Sequence, residues 1–240
     1  MRQEAQNVLL LLLGGALIKI ALDGSYLRYV KPFQQPWLLM AGAVVVTLGA
    51  IAIVRDILAA RRARRPASEP GHGHGARSTW MLILPVLAIF LIAPPALGAD
   101  SVNRSGGRTV AQARSVKTTA FPALPAGNPL PMSVTDVVTR AGWDATNALN
   151  GRTIRLTGFS VREGNVMYLA RLVIGCCAAD AFPVKVQLTG AGVSALPNDQ
   201  WLETTGTVRP ETATPANSYT PTFVLSGLKT VTQPSDPYEY

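Results

Sequence analysis

The two cysteines of this 240-residue chain, Cys176 and Cys177, are adjacent, and the chain has no others. Thiolates bind soft ions such as zinc or monovalent copper. A bridge between the two would be strained, because neighbouring α-carbons lie about 3.8 Å apart and a relaxed disulfide needs about 4.4 to 6.8 Å. Three functional states are open: a reversible vicinal bridge, a dithiol that captures a soft metal or metalloid, and a thiol that pairs with another protein. In the competing interpretation, both cysteines are structural.

The residues around the pair suggest how a metal site could be built. Two sulfurs do not complete a tetrahedral zinc site, and Asp180 offers the nearest further ligand. The candidate metal ligands are therefore Cys176, Cys177 and Asp180, with the rest supplied by a partner, by water or by the other face of the domain. Arg171 could hold the Asp180 carboxylate and orient the turn in a supporting role.

The histidines of the chain lie far from the cysteines in sequence. His72 and His74, in the stretch GHGHG, are weak candidates for a metal site, and a solvated linker is the competing interpretation. Residues 133–240 contain no histidine, which excludes histidine-based triads and His-ligated catalytic zinc there. A thioredoxin-like dithiol has two residues between its cysteines, so a redox enzyme is also disfavoured. We expect no enzymatic activity.

Three apolar runs precede the cysteine-containing half, at residues 8–22, 37–54 and 80–97. A bilayer core takes about 20 helical residues, and we expect three transmembrane helices within a membrane domain of residues 1–98. Lys19 in the first run can snorkel, with Asp23 one helical turn later as a possible partner. A cleaved signal peptide is the alternative for this first run.

The basic residues predict the orientation of these helices. Six arginines follow the second run, whereas Arg28 and Lys31 alone follow the first, and Lys- and Arg-rich short loops stay in the cytoplasm. The N-terminus is then cytoplasmic and the C-terminal half extracytoplasmic, with membrane lipid as a partner. Residues before 99 carry ten basic and four acidic side chains, so the net charge of +8 mainly reflects topology and is weak evidence for nucleic acid.

Residues 99–132 are rich in Ser, Gly, Arg and Pro and predict a flexible linker. From Ser133 the pattern changes to an amphipathic helix, with Ser133 as N-cap, Asp136 three residues on, and an end at Asn150 and Gly151. Five short strand-like segments follow, and Gly158 and Gly206 would mark bends or bulges. We expect residues 133–240 to form a small OB-like antiparallel β-barrel, with a small sandwich as the alternative.

An OB-like barrel can bind single-stranded nucleic acid, which requires a basic groove with exposed aromatic side chains. Residues 99–240 carry twelve basic and ten acidic side chains. The aromatic residues Trp143, Phe159, Trp201 and Phe223 are expected in the core. We therefore expect no nucleic-acid partner.

Several motifs spread over nearly the whole chain point to one family. They are Y-V-K-P at residues 29–32, the histidine-containing loop, R-L-V-I-G-C-C-A-A-D-A at residues 171–181, Trp201, Gly206 and P-Y-E-Y at residues 237–240. Together they resemble the YcgQ-like family of bacterial membrane proteins. Its members tend to be encoded beside a multi-helix permease whose own family resembles exporters of trivalent organoarsenicals.

The resemblance implies a two-protein transport system in the bacterial cell membrane. The chain would be the accessory subunit of a multi-helix membrane permease, and the cysteine pair would handle a thiophilic metal or metalloid. The alternative is a docking module that recruits the permease while its cysteines are structural.

Overall fold

The structure is a computed structural model that describes residues 3–62, 95–105 and 121–240. The chain divides into two compact units, Met1–Pro95 and Ala96–Tyr240. Most of the third predicted membrane helix, and both His72 and His74, lie outside the described residues.

The first unit contains two long helices, α1 (Gln3–Leu22) and α2 (Gln35–Arg62). The connection between them includes 3-10 turns at Ser25–Arg28 and Pro32–Gln34. The helices approach closely, because a Cβ atom on Gly42 would lie 2.7 Å from Ile18 Cγ1 and 3.1 Å from the carbonyl oxygen of Gly14. The first two apolar runs are thus confirmed as helices.

Polar contacts accompany this helix packing. The side-chain amide of Asn7 on α1 donates to Asp56 Oδ2 on α2 at 2.8 Å. Lys19 and Asp23 form the predicted ion pair, with 3.1 Å between Nζ and Oδ2.

Within the described part of the chain, Pro32–Ala59 is the one helical stretch long and apolar enough to cross a membrane. Large apolar side chains on α2 are exposed, among them Trp37 at 64% and Val44 at 57%. The apolar helical stretch Gln6–Leu22 is shorter. The membrane crossing and the three-span topology stay predictions.

The second unit combines two helices with seven strands. The helices are α3 (Ala99–Arg104) and α4 (Val134–Trp143). The strands are β1 (Leu130–Pro131), β2 (Ile154–Glu163), β3 (Val166–Val173), β4 (Phe182–Thr189), β5 (Trp201–Val208), β6 (Thr222–Thr230) and β7 (Tyr238–Glu239). Strands β2 to β6 correspond to the five predicted segments.

The sheet is mixed, so the predicted purely antiparallel sheet is wrong. Strand β2 pairs antiparallel with β3 and with β5, β3 with β4, and β5 with β6, whereas β4 and β6 are parallel. Each of these five strands therefore pairs with two others, and together they form a closed ring in the order β2, β3, β4, β6, β5. An odd number of strands joined in this way cannot alternate direction at every step, which makes one parallel pair unavoidable. The short strands β1 and β7 add parallel pairings to β2 and β3.

Two groups of buried apolar side chains stabilise this unit. Val134, Val137 and Val138 of α4 pack in a core with side chains of β2 to β6, including buried Phe223. A second core joins Ala99 and Val102 of α3 to a set that contains Phe159, Leu172, Ile174 and Tyr238. Of the four aromatic residues expected in the core, Phe159 and Phe223 are buried, and Trp143 and Trp201 pack half-buried against it.

Helix α4 begins as predicted, because the Ser133 hydroxyl accepts a hydrogen bond from the Asp136 amide at 2.9 Å. It ends at Trp143, well before the predicted end at Asn150 and Gly151. Asp144 explains the difference, since its Oδ1 accepts from the Thr146 amide at 2.9 Å and from the Thr146 hydroxyl at 2.5 Å. Such a local turn competes with helical hydrogen bonding.

The structure describes both ends of the predicted flexible linker, and both ends form regular secondary structure. Residues 99–104 form α3, and residues 130–131 form β1. Near the second end, Arg140 Nη2 donates to the Pro122 carbonyl at 2.7 Å and Arg152 Nη2 to the Pro125 carbonyl at 3.0 Å. These long-range contacts are not visible in the local composition.

Gly206 is confirmed as a bulge, because the β5–β6 register shifts between Thr205 and Gly206. A Cβ atom there would overlap the carbonyl oxygen of Val224. At Gly158 the register is continuous, but a Cβ atom would lie 2.7 Å from the carbonyl oxygen of Ala170. Both glycines thus permit close backbone approach.

Candidate functional site

The cysteine pair lies in the connection between β3 and β4. The Ile174 amide, directly after β3, donates to the Glu239 carbonyl of β7 at 3.2 Å. Gly175 follows, and Ala178–Asp180 form a single 3-10 turn before β4 begins. We call residues 175–181 the cysteine loop. Its partly buried Ala178 and Ala181 pack against the second core.

The two cysteines are not joined by a disulfide bond, and 3.7 Å separates their Sγ atoms. Cys176 is exposed and Cys177 is half-buried. Neither belongs to a core cluster of the described residues. The pair therefore lies at the surface of the domain, outside its two cores.

Asp180 folds back over the start of the cysteine loop. Its Oδ1 accepts from the Gly175 amide at 2.9 Å, and its Oδ2 accepts from the Cys176 amide at 2.7 Å. Its own amide donates to the Cys177 carbonyl at 3.0 Å. A Cβ atom on Gly175 would lie 2.9 Å from Asp180 Oδ2, so a larger residue there would disturb this contact. The ligand atoms of Cys176, Cys177 and Asp180 all lie within 4.8 Å of one another.

The carboxylate also controls the ionisation of the neighbouring thiol. A hydrogen bond to Asp180, followed by one to Cys177, raises the pKa of Cys176 to about 11. Desolvation works to raise the pKa of Asp180, but hydrogen bonds from the Cys176 side chain and from backbone amides outweigh it and hold this pKa below its ordinary value. At neutral pH the loop therefore holds a protonated thiol at Cys176 beside a carboxylate. A bound cation would reverse this preference, because a coordinating thiol loses its proton.

Arg171 does not play the role that the sequence suggested. No described hydrogen bond or ion pair joins it to Asp180. Arg171 is buried, and its Nη2 donates to the carbonyl oxygens of Tyr238 at 2.9 Å and Asp236 at 3.4 Å. Its guanidinium carbon also lies 5.0 Å from the centre of the Trp201 ring. Because β7 pairs with β3, the C-terminal residues lie beside Arg171 and supply its partners.

Glu239 is the residue that sequence reasoning missed. Its Oε1 lies 3.6 Å from Arg171 Nε and accepts from the Val134 amide at 3.0 Å. Its Oε2 accepts from the Thr135 amide at 2.9 Å and from the Thr135 hydroxyl at 2.6 Å. One carboxylate thus joins β3 to the N-terminus of α4, where an anion is favoured. The signal in the sequence was the C-terminal P-Y-E-Y motif, which carried no indication of its distant partners.

A cleft of about 510 Å³ in the second unit shares no residue with the cysteine loop. Lys185 in this cleft contacts both carboxylate oxygens of Glu163, at 2.5 and 2.6 Å, and lies 4.4 Å from the centre of the Tyr168 ring. These contacts engage the ammonium group of Lys185. The cysteine loop, in contrast, holds two thiols beside a carboxylate.

Comparison with known proteins gives one match. Residues 143–240 are similar to the DUF1980 C-terminal domain. This region contains Arg171, the entire cysteine loop and Glu239. No curated protein and no solved structure matches the chain. The similarity to the DUF1980 C-terminal domain therefore covers the part of the chain that carries the candidate site.

Proposed function

We propose that the chain is a membrane-anchored accessory subunit, of the YcgQ-like kind, in a two-protein permease system. Its cysteine loop binds a thiophilic metal or metalloid outside the cytoplasm. The observation that carries the proposal is the pair of thiol sulfurs 3.7 Å apart beside a carboxylate, with both Cys176 and Asp180 exposed. The match to the DUF1980 C-terminal domain is compatible with this role and names no function.

The architecture supports a binding role in which the domain presents the loop. The ring of pairings from β2 through β3, β4, β6 and β5 is the order expected of an OB-like barrel. The cysteines lie outside its cores, on a connection between two strands. Structural cysteines are usually buried and inert, so the exposure of Cys176 favours a functional pair over the structural alternative.

The membrane and partner parts of the proposal rest on the first unit. Helix α2 combines spanning length with exposed apolar side chains, and a multi-helix permease would offer helices for it to contact. The N-terminus is cytoplasmic and the DUF1980-like domain extracytoplasmic in this proposal. The role is non-enzymatic, since binding and delivery need no catalytic group.

Metal content of the purified full-length chain tests the proposal. The reduced protein in detergent is incubated with thiophilic ions, desalted and analysed by native mass spectrometry. We expect one bound ion in the wild type and none in the Cys176→Ser, Cys177→Ser double variant. The matched control is His72→Ala, His74→Ala, which keeps the thiols and should bind as the wild type does. Equal binding by the cysteine variant would remove the proposal.

The docking alternative makes a different prediction with the same variants. If the domain only recruits the permease, the neighbouring permease copurifies equally with the wild type and the double cysteine variant, and neither chain binds a thiophilic ion. Truncation after Met132 would then abolish copurification. A cysteine-dependent ion in the copurified complex would favour the transport role.

A further inference from the structure

We infer that the cysteine loop is an exchange site for a divalent ion of the zinc class. The ion is held by Cys176 Sγ, Cys177 Sγ and one Asp180 oxygen, and its fourth position faces solvent. This inference rests on the proposed function and narrows its substrate class.

The spacing of the sulfurs is the first argument. In a tetrahedral zinc site the Zn–S bond is about 2.3 Å, which places two ligating sulfurs about 3.8 Å apart. The two Sγ atoms of the free loop are 3.7 Å apart. A linear two-coordinate ion with a similar bond length would need about 4.6 Å between the sulfurs. The loop therefore has the sulfur spacing of a tetrahedral ion before any ion binds.

The mixture of ligand types is the second argument. Zinc accepts thiolate and carboxylate ligands in the same site, whereas monovalent copper selects soft sulfur ligands and magnesium or calcium select oxygen. Tetrahedral geometry requires about 3.5 Å between a ligating sulfur and oxygen. The three ligand atoms lie within 4.8 Å of one another, so small χ1 adjustments of the two cysteines bring the sulfurs to this distance while Asp180 keeps its amide bonds.

Pre-organisation of the carboxylate is the third argument. Asp180 Oδ1 accepts from the Gly175 amide and Oδ2 from the Cys176 amide, and the carboxylate also accepts from the Cys176 thiol. An ion that displaces this thiol proton takes its place beside the carboxylate. Hydrogen bonds of this kind orient ligating carboxylates in metal sites. The loop is in turn held at its start by the Ile174 amide bonded to β7.

The exposure of the site indicates exchange rather than permanent binding. Closed structural zinc sites have four protein ligands, whereas sites with three protein ligands keep an open position. The described part of the chain supplies three candidate ligands here, two of them exposed. Binding of the ion replaces the two thiol protons, which are released to solvent. The open position can then be taken by a ligand from a partner.

Cobalt(II) spectroscopy on the reduced full-length chain in detergent tests this inference. We expect one equivalent of cobalt to give sulfur-to-metal charge-transfer bands and tetrahedral d–d bands, which one equivalent of zinc removes. Added imidazole should change the d–d bands by occupying the fourth position. Asp180→Asn should lower zinc affinity at least about tenfold, and Asp180→Glu should lower it less. The melting temperature of each variant shows whether the domain remains folded.

The outcomes separate this inference from the proposed function. If the cysteines bind monovalent copper or arsenite but cobalt gives no tetrahedral spectrum, the zinc assignment fails and the proposed function stands. If no thiophilic ion binds, both fail. An imidazole-insensitive spectrum, or an unchanged affinity in a folded Asp180→Asn variant, would also overturn the site as described.

Discussion

Asp180 accepts the amides of Gly175 and Cys176 and lies beside the Cys176 thiol. A single carboxylate thereby sets both the shape of the cysteine loop and the ionisation of its more exposed sulfur. Since the thiolate is the nucleophile, the raised pKa of Cys176 beside Asp180 slows its reaction with electrophiles.

The first prediction concerns the reactivity of Cys176 in a Cys177→Ser background. Adding Asp180→Asn should speed alkylation by iodoacetamide at pH 8 about tenfold or more, because the pKa of Cys176 falls from about 11 toward its ordinary value. Intact mass spectrometry over time measures the rate. Asp136→Asn in the same background is the control, since Asp136 is exposed on α4, and it should leave the rate unchanged. Equal rates with and without Asp180 would contradict the proposed effect.

The sequence alone pointed to the candidate residues of the cysteine loop. It predicted only some of the contacts that hold this part of the domain in place. Adjacent cysteines beside an aspartate predict a site because the interaction is local, as is the capping of α4 by Ser133. Arg171 was assigned to Asp180 for the same reason, by closeness in sequence. Its true partners, Tyr238 and Glu239, come from a strand at the other end of the domain. Only the three-dimensional pairing of β7 with β3 reveals them.

At the scale of elements, Glu239 links three parts of the second unit. It caps the first turn of α4, pairs with Arg171 on β3, and its carbonyl accepts from the residue that leads into the cysteine loop. The Arg171 and Glu239 side chains are 9% and 11% exposed. Breaking such a buried pair leaves a charge without compensation.

The second prediction follows from this linkage. Glu239→Gln should lower the free energy of unfolding of the second unit by about 3 kcal/mol, because Arg171 stays charged and buried. Urea unfolding followed by tryptophan fluorescence measures the loss, and Trp201 beside Arg171 reports it. Adding Arg171→Met should recover part of the stability. Glu203→Gln on β5 is a control, since Glu203 has no described ion pair. A Glu239 variant as stable as this control would refute the role.

The elements themselves show what periodicity predicts and what it does not. Short strand-like segments in the sequence located all five strands of the ring, and Gly206 correctly marked a position where the β5–β6 register shifts. The parallel pairing of β4 with β6 was missed, because strand direction within a sheet depends on the path of the connections. The short strands β1 and β7 were missed because two residues are too few to show a period.

At the scale of the whole molecule, the proposal depends on which side of the membrane the DUF1980-like domain lies. The two described helices of the first unit agree with two of the three apolar runs. The predicted side depends on the full count of spans and on the arginines that follow α2. An odd number of spans from a cytoplasmic N-terminus puts the cysteine loop outside, where an ion can reach a permease from the exterior.

The third prediction tests this placement with a membrane-impermeant maleimide on intact cells that have been gently reduced. The label should reach the wild-type cysteine loop, because Cys176 is exposed and the proposed topology places the loop on the exterior. The matched control is Ser68→Cys in the Cys176→Ser, Cys177→Ser background, which places one thiol in the predicted cytoplasmic loop and should react only after lysis. If Cys176 also reacts only after lysis, the domain lies inside, and external capture by the cysteine loop is ruled out.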